Sequence, residues 1–253
     1  VRQNLWDLLD LTSTEADSDS WGWYFIDQLC IDQENTLERN EQVHEMARIY
    51  RNAEEVVIWI MPGNPIDRDW FETLDLEDSL LRVAAREKLK ELMENDYWGR
   101  LWVFQEVVLG KLVMLRWGRA VCAFRDCPWL YDVGIDSDVA RNMRSLVLAR
   151  MSFSMKKKMN WSGLAVDAGN RLCEDPRDQV YAMLGLVGET TLWPDYSKSV
   201  EEVFQDWVRE ALSKETMPRE VLWSCFQTWR QRMKLPPEEI SEELMRTAAA
   251  YVC

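Results

Sequence analysis

WGWYFIDQLCIDQENTLERNEQVHEMARIYRNAEEVVIWIM, running from Trp21 to Met61, is the stretch that decides the fold. Its opening, Trp21 to Ile31, is aromatic and β-branched enough to predict a strand, ending in Asp27-Gln28-Leu29-Cys30-Ile31-Asp32-Gln33. Asn35 is placed to cap a helix, with Glu38 three residues later at the spacing of a capping box. Val43, Met46, Ala47 and Tyr50 follow at i, i+3, i+4 and i+7, so residues 36–52 read as an amphipathic helix. Val56 to Met61 is a continuous apolar run closed by Pro62-Gly63, which fits a buried strand of a parallel sheet. The stretch is a β-α-β unit, and it predicts an α/β fold with a small, mainly parallel sheet flanked by helices.

Working outward, residues 64–76 form a polar connection with a short helix expected around Trp70. A helix over 77–95 carries Leu80, Val83, Ala84, Leu89, Leu92 and Met93, and a second helical segment runs from about Trp98 to Leu109. Lys111 to Trp117 reads as the next strand, and Gly118-Arg119 turns into a short segment from Ala120 to Phe124. The remainder reads as mainly helical. Asp175-Pro176 has the form of a helix start, with Asp as N-cap and Pro at the first helical position. Helices are expected at 177–187, 199–214, 218–232 and 237–252. The expected boundary lies near 125, between an α/β core (1–124) and a mostly helical extension (125–253).

The chain has 253 residues and a net charge of −14, which repels nucleic-acid phosphates, and the run Lys156 to Lys158 is too short to reverse that. The longest apolar run of note, Val56 to Met61, is far short of the roughly 18 residues of a spanning helix. The start has no apolar signal segment, and six scattered Cys suggest reduced thiols; both point to a cytoplasmic protein. The first residue is Val, not Met, as expected of a fragment or a processed product. Fourteen Trp, against seven Tyr and seven Phe, is the anomaly of composition.

Most catalytic constellations fail on residue supply. The sole His, His44, has Arg48 where a zinc-binding helix would need a second His. Only Cys122 and Cys127 are close in sequence, without a second pair to complete a zinc site, so no metal ligands are assigned. The ten glycines form no G-x-G or phosphate-loop pattern. Two polar-aromatic blocks remain. The first, Phe25 to Gln33, would place Asp27, Asp32 and Gln33 at the carboxyl edge of a parallel sheet, where α/β folds hold ligands. The second, Trp98 to Glu106, would put Trp98, Trp102 and Gln105/Glu106 on one side of a helix, with a carboxylate one turn from an aromatic plate. Trp102 reads more readily as a core residue, Glu106 equally as half of an ion pair with a nearby Arg, and Asp27 also as a strand-end or turn carboxylate.

These blocks carry a resemblance. Tyr24 to Gln33, then Glu38-Arg39, Gln42-Val43, Met46, Ile49-Tyr50 and Val57 to Ile60, resemble the fungal heterokaryon incompatibility (HET) domain pattern W-I-D-x-L-C-I-N-Q, E-R-x-x-Q-V-x-x-M-x-x-I-Y and strand. Arg100 to Val107 is similar to its R-x-W-x-x-Q-E block, and Asp175 to Leu186 and Pro194 to Ser197 resemble its D-P-R-D-x-V-Y-A-L-L-G-L and P-D-Y segments. Asp32 and Phe25 depart from the family's Asn and Trp, and the opening S-Y-x-W-G strand has no counterpart. The resemblance implies a cell-death or self/non-self recognition effector. Through the family's likeness to TIR domains, it also implies a TIR/flavodoxin-like sheet and a glutamate that cleaves NAD, with no cofactor required. Trp102 to Glu106 has the W-x-x-x-E spacing, which carries the catalytic role to Glu106; Asp27, Cys30, Gln33, Arg39 and Trp102 become edge-of-site binding residues. The alternative is a non-catalytic module that acts by self-association or by binding a protein partner, or a truncated member of the family.

Overall fold

A computed structural model describes residues 5–10, 23–64, 66–72, 74, 79–126, 137–156, 158–167, 171–214 and 219–236. Residues 5–10 are helical (α1). Helix α2 (Asp27–Cys30) leads to α3 (Thr36–Asn52), strand β1 (Val56–Ile60) and α4 (Ser79–Met93). A 3-10 turn, Asp96–Gly99, precedes α5 (Trp102–Leu109), and β2 (Val113–Trp117) and β3 (Ala120–Ala123) follow. The rest is helical: α6 (Asp138–Lys156), α7 (Trp161–Asp167), α8 (Asp178–Tyr181), α9 (Val200–Lys214) and α10 (Arg219–Arg232).

The sequence predicts α3 because its start is chemically marked. The Asn35 side chain accepts from the Glu38 backbone N–H at 3.3 Å, as a cap should. The Glu38 carboxylate accepts from the Asp32 N–H at 3.0 Å, so it ties down the preceding turn. Beyond α3 the sheet runs β1-β2-β3, with β1 and β2 parallel from Val56↔Val113 to Ile60↔Trp117 and β2 and β3 antiparallel. It is therefore an α/β fold with a helical extension, but the three-stranded sheet is mixed rather than mainly parallel. Gly118 makes the β2–β3 turn at φ +59°, a left-handed backbone that a side chain would strain.

The expected strand over 21–31 is not there. Residues 23–26 belong to no strand and Asp27–Cys30 is a helical turn; residues 21 and 22 lie outside the described set. The polar residues explain the difference. The Asp27 carboxylate accepts from the Gln28 N–H at 2.8 Å and that of Asp32 from the Glu34 N–H at 3.1 Å, so local side-chain bonds compete with a ladder. Trp23, Tyr24 and Leu29 are exposed, and only Ile31 is buried. The run over 98–109 likewise splits, as the Arg100 N–H closes on the Tyr97 carbonyl and Leu101 pairs with Leu172. Asp175 caps the chain after Pro176 as expected, its carboxylate accepting from the Arg177 N–H two residues on, but the first turn closes with i→i+3 bonds and the α-helix itself, α8, spans only Asp178–Tyr181 rather than 177–187. The helix expected at 237–252 falls outside the described residues.

The core sits between the sheet and α5, whose Val103, Phe104, Val107, Val108 and Leu109 are buried. β1 shows Val56, Ile58 and Ile60 to that core, whereas Val57 is exposed, so the strand is buried on one face only. The hydrophobic cluster continues without a break past position 124 to Met233. There Trp207 stacks on Trp229 at 4.5 Å, with Trp161 edge-on to both and Phe204 and Phe226 around them. Three of the fourteen Trp thus build the core of the helical half, as Trp70, Trp98 and Trp117 help to build that of the first half. Among the described residues, Cys30, Cys122, Cys173 and Cys225 form no disulfide, and no helix is long and apolar enough to cross a membrane.

Candidate functional site

The six singled-out residues divide into two neighbourhoods, both built on α3 and α5. Asp27 and Glu106 belong to the first. Glu106 lies one turn before Gly110, and a Cβ placed on Gly110 would strike the side chains of Val56 and Val113, the first residues of β1 and β2. The end of α5 therefore packs on the amino ends of the parallel strands β1 and β2. The Tyr97 hydroxyl donates to Glu106 Oε2 at 3.3 Å, and the Tyr50 hydroxyl lies close enough to act on the carboxylate as a second donor. All three side chains are partly exposed. Burial pushes the Glu106 carboxyl above its ordinary value and the negative charge of Asp27 adds to that; attraction to Arg100 and the two phenol donors work against it. Burial, then the Glu106 charge, raises both phenols well above their ordinary value. Among the described residues no salt bridge reaches Glu106, and Arg100 acts on it through its charge without a direct ion pair.

Cys30 and Gln33 are exposed and serve the α2 turn. The Cys30 sulfur accepts from the Ile26 N–H at 3.5 Å, and Gln33 Nε2 donates to the Asp27 carbonyl at 3.4 Å.

Arg39 and Trp102 belong to the second neighbourhood, centred on Asp178, whose residue is 6 % exposed. Trp102 Nε1 donates to Asp178 Oδ2 at 3.1 Å, and the Tyr196 hydroxyl donates to Oδ1. Arg39 lies 3.5 Å over the Tyr196 ring, bonds Asp175 at 3.3 Å and reaches Asp178 Oδ1 at 3.9 Å. Arg177 grips Asp175 with two bonds of 2.8 and 2.9 Å and donates to the Tyr196 and Lys198 carbonyls. Burial pushes Asp178 up to about 6 against the pull of its donors. Burial acts on Asp175 too, but the Arg177 bonds and the Arg39 charge outweigh it and hold that carboxyl below its ordinary range. Every acceptor here is used, so this arrangement is a clasp that joins α3 and α5 to α8 and the turn at Tyr196.

Gly185 closes the clasp from below. A Cβ on it would lie 2.3 Å from Ala47 Cβ and 2.6 Å from Gln105 Nε2, so only glycine allows α3 and α5 to approach the 185 turn. Gln105 is buried there, which accounts for that member of its block as a packing residue. Sequence reasoning missed Tyr50, Tyr97, Asp178 and Tyr196 as partners of the acids. The signal for Tyr50 was a hydroxyl on the otherwise apolar i+7 position of α3.

A cleft of about 780 Å³ lies elsewhere, between the start of α3, α8, residues 191–198 and α9. None of the singled-out residues lines it. Its charged walls are already satisfied: Lys198 and Arg209 both pair with Asp206, and Glu210 takes Lys214 and Thr191. At its rim His44 is stacked on Trp193 at 3.6 Å, which gives the one histidine a packing role.

Among the described residues no group of His, Cys, Asp and Glu could hold a metal ion. No curated protein and no solved structure matches the chain. Residues 1–106 match the family model described as Heterokaryon incompatibility protein (HET), a span that ends on Glu106 and supports a heterokaryon incompatibility domain in this part of the chain.

Proposed function

We propose that the chain is a heterokaryon-incompatibility effector that cleaves the nicotinamide–ribose bond of NAD or a related nucleotide at Glu106. The observation that carries this reading is a partly exposed carboxylate that, among the described residues, makes no salt bridge, with Tyr97 bonded to it, Tyr50 beside it and a second acid, Asp27, facing it. Nicotinamide leaves with the bonding electron pair, which discharges its cationic nitrogen, so no general acid is needed. The ribose C1′ is left with oxocarbenium character, and a fixed anion beside it stabilises that charge most in the transition state. Water then adds to C1′ and loses its proton to Glu106 or to solvent. The aromatic rings next to the carboxylate are Tyr50 and Tyr97; the Trp102 indole is tied to Asp178 on the other flank. Arg100, exposed at the rim, is the cation available to a diphosphate. Nothing but water and the nucleotide is consumed, so no cofactor enters.

Nicotinamide release by the purified chain, alone and under crowding, tests this. Glu106→Gln is expected to lower the rate by about 100-fold or more with an unchanged far-UV spectrum. Equal rates in the variant would remove Glu106 from the chemistry.

The exposed run Trp23, Tyr24 and Phe25, with Leu29, favours a second reading, in which the domain signals by associating with itself or with a protein partner. Light scattering across concentration tests it; a strict monomer throughout would count against self-assembly.

A further inference from the structure

We propose that Tyr50 and Tyr97 are positioning residues: two hydroxyls from separate elements donate to the one Glu106 carboxylate, fix its orientation and keep it anionic toward a ligand's vicinal diol. The inference rests on the reading of Glu106 as the group that meets the ligand.

Each partner is carried on a braced element. Tyr97 sits in the 3-10 turn Asp96–Gly99, which the Asn95 side chain caps at the Tyr97 N–H and which is pinned by the Trp98 indole on the Leu92 carbonyl at 2.7 Å. Leu172 closes on its far end at the Gly99 carbonyl. Tyr50 stands on α3, one turn beyond the place where Ala47 packs on Gly185, and the next residue, Arg51, donates to the Gly185 carbonyl. Helix α5, which bears Glu106, is held at its end by Arg150, whose guanidinium donates to the carbonyls of Val107, Gly110 and Lys111. Carboxylate and donors thus come from three elements fixed independently of any ligand, as preorganisation requires.

The choice of donor matters chemically. An ionised carboxylate offers about four acceptor positions. A bidentate arginine would fill two and also cancel the charge. Two phenols fill two and leave the charge in place, so the remaining positions can take both hydroxyls of a ribose diol. The groups facing the carboxylate divide accordingly: Asp27 from α2 favours its protonation, whereas Arg100 before α5, Tyr97 from the turn and Tyr50 from α3 favour the anion. Without a phenol hydroxyl the balance tips toward a neutral acid, which can neither accept two diol hydrogen bonds nor stabilise positive charge.

The test is a carbon-13 carboxyl NMR titration of the intact chain, as wild type, Tyr97→Phe, Tyr50→Phe and the double variant, with the Glu106 resonance assigned by its loss in Glu106→Gln. Each Phe is expected to raise the Glu106 protonation midpoint by roughly one to two pH units, the size of a hydrogen bond to a charged group. Nicotinamide release should lose its acidic limb by the same shift and recover at higher pH; a merely structural lesion would depress the rate at every pH. Midpoints that stay within a few tenths of wild type in the single variants overturn the proposal. A midpoint that moves while the wild type releases no nicotinamide upholds the positioning role and sinks the NAD reading. If Tyr50→Phe fails to fold, Tyr97→Phe decides alone, because the Tyr97 hydroxyl donates to Glu106 Oε2 at 3.3 Å and its removal leaves the ring packed against the core in place.

Discussion

Glu106 and Asp178 are two acids built to one plan, the first left open and the second closed over. Each is lifted above its ordinary value by burial, and each has two aromatic donors at its carboxylate, Tyr97 with Tyr50 beside it in one case, Trp102 and Tyr196 in the other. Trp102 and Glu106 even share a helix, one turn apart. Around Asp178 the arrangement closes: Arg39 covers the Tyr196 ring, Asp175 and Arg177 pair, and the residue is sealed from water. Around Glu106 it stays open, with a second acid facing it and the nearest cation only partly compensating. A closed arrangement of satisfied charges is a fastening, whereas an open one with an unneutralised charge is a place for something else to bind.

The comparison breaks most sharply under paired substitutions. Glu106→Gln should cost nicotinamide release about 100-fold or more while barely moving the urea midpoint. Asp178→Ala should do the reverse to folding: it leaves the Tyr196 hydroxyl and the Trp102 N–H buried without an acceptor, a loss of about 2–4 kcal/mol by urea denaturation. If Asp178→Ala proved as stable as wild type, the clasp would be decorative. A smaller loss is expected from Gly185→Ala. Its new Cβ would need to displace Ala47, at 2.3 Å in the present packing, and overpacking of this kind costs about 1–3 kcal/mol. An unchanged midpoint there would show that α3 and α5 are free to move apart, which would weaken the argument for a preorganised Glu106.

The same contrast explains what could be read from the chain and what could not. Helix α3 and strands β1 and β2 are written in local pattern, from the Asn35 cap to the alternation of Val113, Leu115 and Trp117. The aromatic opening from Trp21 to Phe25 also looked like local pattern, yet strand propensity there loses to the side-chain bonds of Asp27 and Asp32 and to the lack of a face that buries Trp23 and Tyr24. Glu106 is singled out in the sequence by the spacing of its motif. Its phenol partners are not, because Tyr50 looks like one more apolar position until the crossing of α3 and α5 is known. Arg39 and Trp102 were found as important residues and assigned to ligand, since the long-range bond that occupies each, to Asp175 and to Asp178, has no signature in sequence.

The smallest expected effect is the pH dependence of the clasp, and its sign separates the two aspartates. Asp178 holds its proton more tightly in the folded chain, at about 6 against an ordinary 3.8, so between those values the native state carries more protons than the unfolded one. Its contribution to stability therefore decreases as pH rises through that window, with a slope that cannot exceed about 1.4 kcal/mol per pH unit for one proton. Asp175 is shifted the other way: its contribution is fully present above 3.8 and is lost only below that, as the pH falls through its depressed folded value. Urea midpoints measured from pH 3 to pH 7 should separate the two. Asp178→Asn should flatten the decline between pH 4 and 6 and leave the acid loss below pH 4 in place, because Asp175 keeps Arg177 in that variant. If the variant instead kept the decline, the proton would belong to another group, and Glu106, the other acid raised by burial, would be the first to titrate directly.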